Sequence, residues 1–381
     1  MTKRIVFLMS DTGGGHRSAA EAIRDAMYLK YGRSNLDVTL VDVFRQCRWP
    51  LNKMPEFYPW IVNNSATLWG VGYRIANIRP VYAINKRSIY LSNRDRLKSM
   101  VQEHPADVVV SVHSVITQPS LYAYEAFNHR PPFITVVTDL VSTPRYWYDH
   151  RADFTFLPTD TAYQRGIANG MNPARMRVVG LPVHPRFNNL REPQEVRREF
   201  GWDESLPTIM LVAGGDGMGP LYETALAINR RQLRCQLVIV AGKNAALKNR
   251  LEAVEWHQPT HIYGFVRDMP DKMRGADILV TKAGPATISE AFTVGLPVII
   301  SDMIPGQEVG NVQHVVGNDA GVFANSPQKV ADAVAEWLSD DAEGLAWRKE
   351  NARRLANPDA VWEIAQAVWQ YAHHPPVFTG R

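Results

Sequence analysis

Short apolar runs alternate along the chain with longer stretches of helical periodicity. The runs at 4–9, 37–42, 107–112, 133–137, 154–157, 177–179, 208–213, 236–241, 260–263, 277–281 and 297–301 predict strands. Many are apolar throughout, which is the pattern of strands covered on both faces of a sheet. Helical spacing between them predicts helices over 16–31, 86–103, 221–231, 245–255, 285–294 and 327–338. Strand and helix in regular alternation point to an α/β fold with parallel sheets.

The series starts twice, once at Ile5 and again near Thr208, after a polar stretch that contains Pro185, Pro193 and Pro207. This predicts two doubly wound, Rossmann-like domains, residues 1–190 and 191–356, facing a central cleft. The carboxyl ends of parallel strands are where such sheets bind ligands. Near the end, residues 358–371 carry Val361, Trp362, Ile364, Ala365, Val368 and Trp369 in an amphipathic pattern, which predicts one more helix. At 381 residues, the length suits two cores better than one.

Composition narrows the class. The apolar share of 45% with 21% charged residues is that of a globular chain, and a net charge of +4 over this length does not mark nucleic acid as a partner. Cys47 and Cys235 are the only cysteines, so no disulfide framework is expected and a reducing compartment fits. The run Ile5–Met9 is too short for a signal-peptide core, and no stretch is long and apolar enough for a membrane span. Membrane contact is therefore expected to be peripheral.

Three βα turns carry candidate chemistry. The strand 4–9 runs into Ser10-Asp11-Thr12-Gly13-Gly14-Gly15-His16, where glycines permit a sharp turn and a close approach of the backbone. His16 sits where a helix begins and titrates near neutrality, as a general base does; a capping or packing histidine is the plainer reading. Strand 208–213 ends in Gly214-Gly215-Asp216-Gly217-Met218-Gly219-Pro220, a second turn suited to phosphate. Strand 277–281 ends in Lys282-Ala283-Gly284-Pro285-Ala286-Thr287-Ile288-Ser289-Glu290. Glu290, early in that helix, is placed to accept the two hydroxyls of a ribose, or else is a solvent-facing residue. Beyond strand 297–301, Gln307 and Glu308 offer donors and acceptors that suit sugar hydroxyls, or simply open the next helix. Neither G-x-x-x-x-G-K-[ST] nor Asp-x-Asp occurs, and the histidines lack zinc-site spacing. No metal or cofactor is expected, and a leaving phosphate is expected to rely on backbone N–H groups and helix dipoles.

Taken together, SDTGGGH (10–16), GGDGMGP (214–220), KAGPATISEA (282–291) and PGQEVGN (305–311) resemble the monogalactosyldiacylglycerol synthases. These are related to the processive diacylglycerol glucosyltransferases and, more distantly, to the N-acetylglucosaminyltransferase that forms lipid II. VDVF (41–44), SVH (111–113), VVTDL (136–140) and GLPVHPRF (180–187) follow in the family's order, so the resemblance spans about residues 4–320. VSTPRYWYDH (141–150) has no clear place in that pattern. The resemblance implies a GT-B fold, with an acceptor- and membrane-binding N-terminal domain, a UDP-sugar-binding C-terminal domain and a final helix, 357–372, crossing back to the first. It implies His16 as catalytic base, with Asp139 orienting it. Glu290 would hold the ribose, Gln307 and Glu308 the sugar, Gly214, Gly215 and Gly217 the diphosphate, and Phe265 and Val266 the uracil. Gly284, Thr287 and Asn311 fall in the same donor motifs, and Gly14, Gly15 and His113 in the acceptor motifs.

The implied reaction is inverting transfer of galactose from UDP-galactose to the sn-3 hydroxyl of diacylglycerol. The alternatives are the same transfer with UDP-glucose, a small-acceptor transferase, a sugar-nucleotide epimerase, and a non-catalytic sugar-nucleotide or lipid sensor. Residues 45–98 bear on the lipid acceptor. They carry ten Lys/Arg against Glu56 and Asp95, with Trp49, Phe57, Tyr58, Trp60, Trp69 and Tyr73 interleaved. Aromatic rings favour the headgroup region, and basic residues are drawn to anionic lipid. Trp49, Trp60, Trp69, Arg74, Lys86 and Arg87 are thus candidates for docking on the cytoplasmic face of a membrane. Core aromatics beneath a solvated basic face, or a single-stranded nucleic-acid site, are the competing readings.

Overall fold

The computed structural model describes residues 2–189, 191–213, 220–339 and 342–374. The chain forms two compact units, one made of the residues up to Pro185 and again from Pro358, the other of Arg186–Asn357. Each is built on a six-stranded, wholly parallel sheet.

In the first unit, β1 (Lys3–Met9), β2 (Leu36–Asp42), β3 (Val108–Ser111), β4 (Phe133–Val136), β5 (Phe154–Leu157) and β6 (Met176–Val178) lie in the order 2-1-3-4-5-6. The apolar run of β1 divides by the two-residue period of a strand. Ile5, Phe7 and Met9 face one core with Ile23, Ala26 and Met27 of the helix Gly14–Tyr31. Val6 and Leu8 face the other core, with Phe44, Leu97, Ile116 and Leu121. The helix Ala360–His373 belongs to this unit. It buries Val361, Ile364, Ala365 and Val368 in the first of these cores, and Trp369 stacks on Tyr31 at 4.3 Å.

The second unit holds β7 (Thr208–Val212), β8 (Gln236–Val240), β9 (Thr260–Tyr263), β10 (Ile278–Lys282), β11 (Val298–Asp302) and β12 (Gly321–Phe323) in the order 12-11-10-7-8-9. Ile209, Leu211, Leu237, Ile239, Ile278, Val280 and Ile299 pack one face against the helices Leu221–Asn229 and Pro327–Ser339, where Trp337 is buried. The edge strand β12 starts at a glycine for a steric reason. A Cβ on Gly321 would lie 2.0 Å from the Val298 carbonyl oxygen, so any other residue there pushes β12 off β11. The sequence pattern contains no signal for this three-residue strand.

In both sheets the first strand has neighbours leading in opposite directions. That reversal lies between β1 and β3 in one unit and between β7 and β10 in the other. The carboxyl ends flanking a reversal form a crevice where doubly wound sheets bind ligands.

Candidate active site

In the first unit the reversal point gathers residues from three strand ends. Gly13, at φ 82°, turns the chain out of the segment after β1, and the helix Gly14–Tyr31 begins at once. Gly14 and Gly15 open its first turn, which sets His16 at the amino end, beside the ends of β3 and β4. His16 Nδ1 lies 2.9 Å from the Val112 carbonyl oxygen and 2.8 Å from Thr138 Oγ1. A carbonyl oxygen only accepts, so Nδ1 carries the proton and Nε2 keeps its lone pair. The Thr138 hydroxyl donates to the same carbonyl at 3.1 Å, which leaves its own lone pairs to accept from Nδ1–H. His16 as a whole residue is half-buried. The surrounding protein nevertheless removes most of its water, and this desolvation lowers its pKa to about 4, against the raising effect of the Val112 hydrogen bond. His16 is therefore neutral at physiological pH, in one tautomer.

His113 stacks against it, with ring centroids 4.2 Å apart. Its Nε2 is paired with Thr12 Oγ1 at 2.9 Å, and Nδ1 is buried without a hydrogen-bond partner among the described residues. Burial holds His113 well below the ordinary histidine pKa, and proximity to His16 adds to the effect. At 5% exposure it lies inside the first unit against His16, whereas its place among the acceptor motifs had suggested a lipid-facing position. Asp139 also differs from expectation. Its Oδ2 accepts from Trp147 Nε1 at 2.6 Å, and the groups orienting His16 Nδ1 are Val112 and Thr138. Both lie within the motifs read from the sequence, SVH (111–113) and VVTDL (136–140). A backbone carbonyl and an uncharged hydroxyl carry no signal of their own there.

Residues 45–98 form helices Met54–Ala76 and Arg79–Glu103. Trp49, Trp60, Leu68 and Ile84 are each more than 60% exposed, and Phe57, Val71, Ile75, Ile78 and Leu91 are exposed with them. These side chains are not core. Arg74 and Arg87 are exposed among them, whereas Lys86 is half-buried with its Nζ 4.9 Å from the Tyr82 ring centroid. Trp69 is half-buried as well, edge-on to Tyr58 at 5.2 Å, so of the three tryptophans only Trp49 and Trp60 are presented outward. The helices are tied to the loop that carries Trp147. Tyr73 Oη donates to the Ser142 carbonyl at 2.7 Å, and Arg145 donates from its backbone N–H and from Nε to Asn77 at 2.9 and 3.0 Å.

In the second unit, Gly284 stands before the helix Pro285–Thr293, and Thr287 lies in its first turn. Glu290 follows one turn on. Desolvation pushes its carboxyl up to about 8, although part of the side chain stays open to solvent. A buried carboxylate that seeks hydrogen-bond donors suits a pair of hydroxyls. After β9, Phe265 is 59% exposed beside Lys243, and with Val266, Arg186, Arg267 and Lys272 it borders an open hollow of about 520 Å³. Gln307 is half-buried. Glu308 is not its equal. It is 3% exposed, and its two oxygens accept from Lys282 Nζ and from the Ile304 N–H, each at 2.8 Å. These two bonds hold it inward, so both its oxygens are engaged by the protein and not presented to a sugar. Asn311 donates to the Ala283 carbonyl at 2.9 Å, and its buried Oδ1 has no partner among the described residues. Gly214, Gly215 and Gly217 lie outside the described residues. Among the described residues no three His, Cys, Asp or Glu side chains are grouped to hold a metal ion, and no helix is long and apolar enough to cross a membrane.

Comparison with known proteins bears on the family and the fold. Residues 16–183 match the family model described as monogalactosyldiacylglycerol (MGDG) synthase, and residues 221–355 match that of glycosyl transferases group 1. Monogalactosyldiacylglycerol synthase 3 of Arabidopsis thaliana is 36% identical over 383 residues, covering 98% of this chain and 81% of that protein. The spinach (Spinacia oleracea) monogalactosyldiacylglycerol synthase is 35% identical over 375 residues, covering 95% and 71%. Among solved structures, Acinetobacter baumannii MurG superposes with a TM-score of 0.60 at 14% identity, covering 96% of this chain and 99% of that one. S. aureus MnaA with UDP superposes with a TM-score of 0.60 at 16% identity over the whole of both chains. At such identities these two show the fold alone, which is GT-B-like. The identity to the plant proteins over most of their length settles the family: the chain is a glycosyltransferase of the monogalactosyldiacylglycerol synthase family.

Proposed function

We propose that the chain transfers galactose from UDP-galactose to the sn-3 hydroxyl of diacylglycerol, with inversion, to give β-monogalactosyldiacylglycerol at an anionic membrane surface. The observation that carries this reading is the state of His16. Its Nδ1–H is committed to Val112 and Thr138, so Nε2 is the basic atom. The substrates follow from the names of the plant relatives. UDP-galactose is the donor on this account and no cofactor takes part.

The low basicity of His16 sets the order of events. A base with a pKa of about 4 does not deprotonate a resting alcohol. It receives the proton as the new bond to C1 forms, when the attacking oxygen becomes oxonium-like and strongly acidic. General-base catalysis of this kind contributes about 10²- to 10⁴-fold. Asp139 acts through Trp147 and the loop around it. On the donor side, Glu290 accepts from the ribose, Phe265 and Val266 border the uracil, and Gly284, whose own N–H is donated to the Lys282 carbonyl, opens the helix start at which Thr287 offers an N–H to the diphosphate, the group that the resemblance also assigns to Gly214, Gly215 and Gly217. Gln307 and the open Oδ1 of Asn311 meet sugar hydroxyls. The first unit is then the acceptor and membrane domain and the second the UDP-sugar domain. The outward Trp49, Trp60, Arg74 and Arg87, with their apolar neighbours, would seat the first on lipid as a peripheral protein.

The test is a donor comparison. The purified chain is incubated with diacylglycerol in phosphatidylglycerol-containing vesicles, once with UDP-galactose and once with UDP-glucose. Galactolipid from the first, at a rate well above glucolipid from the second, supports the reading. Glucolipid as the main product, or no glycolipid from either, contradicts it.

A further inference from the structure

Lys282 has no part in the reading so far. It ends β10, the strand beside β7 at which the order of the second sheet reverses. Its ammonium is tethered, with Nζ donating to Glu308 Oε1 at 2.8 Å, and Glu308 itself fixed by the Ile304 N–H. The side chain is 20% exposed, so it is neither a floppy surface lysine nor sealed in the core. It also lies against the start of a helix. A Cβ placed on Gly284 would be 3.8 Å from Nζ, and Gly284 immediately precedes the helix Pro285–Thr293. The Glu308 carboxylate offsets the ammonium, and the positive end of the helix dipole beside it adds to the attraction for a further anion.

A second observation comes from the neighbouring crevice, which Lys282 lines with Ala213, Leu221, Thr224, Ser301 and Asp302. Thr224 is 2% exposed, and its hydroxyl has no hydrogen-bond partner among the described residues. Buried hydroxyls are ordinarily paired, so one left open beside a cation at a strand-end crevice calls for an acceptor. Asp302 stands on the same crevice.

We propose that Lys282, held in place by Glu308, binds the diphosphate of the donor and takes up the charge that develops on it as the sugar departs, with the Thr224 hydroxyl as a second donor. The proposal rests on the assignment of a UDP-sugar as donor. In the transfer, the acceptor oxygen forms its bond to C1 while the bond from C1 to the β-phosphate oxygen breaks. The electron pair of that bond leaves on UDP, the acceptor proton goes to His16 Nε2, and Lys282 keeps all its protons throughout. Glu308 is a positioning residue, and the tether explains why a carboxylate is buried where a sugar contact was expected.

The experiment separates the diphosphate from the nucleoside by measuring calorimetric affinities for UDP and uridine. Lys282→Met alone would strand a buried carboxylate, so the variant used is Lys282→Met with Glu308→Gln, and Lys282→Arg serves as the charge-conserving control. Loss of a charge-assisted hydrogen bond predicts that UDP affinity falls about tenfold or more while uridine affinity holds within about twofold, and that Lys282→Arg keeps most of the preference for UDP. A UDP-to-uridine affinity ratio that stays within about threefold of the unmodified chain overturns the proposal, as does an equal loss for both ligands. Failure of the unmodified chain to bind either ligand would instead overturn the donor assignment. If the double variant does not fold, Thr224→Val is measured in the same way, and an unchanged UDP-to-uridine ratio counts against the proposal.

Discussion

Binding of the nucleoside should release a proton, and Glu290 is the reason. Desolvation holds its carboxyl near 8 in the free chain, yet a ribose offers two hydroxyl donors that are best received by the ionised form. At pH 7 only about a tenth of such a group is ionised, so binding carries a penalty of about 1.4 kcal/mol for each pH unit below its pKa. Uridine affinity should therefore rise about tenfold per unit from pH 6 towards 8 and level off above it. Uridine is the right probe because it lacks a phosphate that titrates in the same range. Calorimetry in two buffers of different ionisation enthalpy would count the proton directly. Glu290→Gln should bind uridine weakly and without this slope. Stability moves the other way. An unfolded glutamate ionises near about 4.3, while the folded one stays protonated to about 8. The folded chain therefore holds the extra proton across that window, and the stability of the free protein falls as pH rises through it. Glu290→Gln should remove this fall and raise the melting temperature most at pH 8. A uridine affinity that is flat between pH 6 and 8, or a slope that persists in Glu290→Gln, would refute the reasoning.

Three further outcomes follow from the first unit. Because His16 is held near 4 and works as the neutral base, kcat at saturating donor, where Glu290 is already ionised against the bound ribose, should fall only as pH drops through about 4; a fall near 6.5, the ordinary histidine value, would mean that His16 is not desolvated or is not the base. Thr138→Val removes one acceptor of the Nδ1 proton and should lower kcat about tenfold with little change in KM, and Thr138→Ser should recover most of it. Reversing charge at Arg74 and Arg87 to Glu should weaken binding to phosphatidylglycerol vesicles, at about 1 kcal/mol for each charge lost near the surface, while leaving affinity for neutral vesicles nearly unchanged. Sedimentation with the two vesicle types checks it.

The sheets were readable from the sequence because strands such as Gln236–Val240 are buried along their whole length and are apolar after the first residue. The edge strand Gly321–Phe323 was not, since three residues show no period. The helix Met54–Ala76 escaped for another reason. Its apolar side chains include outward ones such as Trp60 and Leu68, so they do not mark a core-facing stripe. At the site, the glycine turns were legible and placed His16 and Glu290. Their surroundings were not. Thr138 and Asp139 are adjacent, and the charged residue is the natural guess for a histidine's partner. Only the packing of β3 beside β4 brings Thr138 and the Val112 carbonyl to Nδ1. Gln307 and Glu308 are likewise neighbours in a loop with no periodicity to say which faces inward. Glu308 does, and Lys282 came into view only as its partner.

The most direct measurement compares the chain with His16→Ala, following lipid product and UDP affinity together, with diacylglycerol in anionic vesicles and UDP-galactose. The account expects a β-linked galactolipid from the first, a rate about 10²- to 10⁴-fold lower from the second, and UDP affinity alike in both. An α-linked product, or near-normal turnover by His16→Ala, would contradict it.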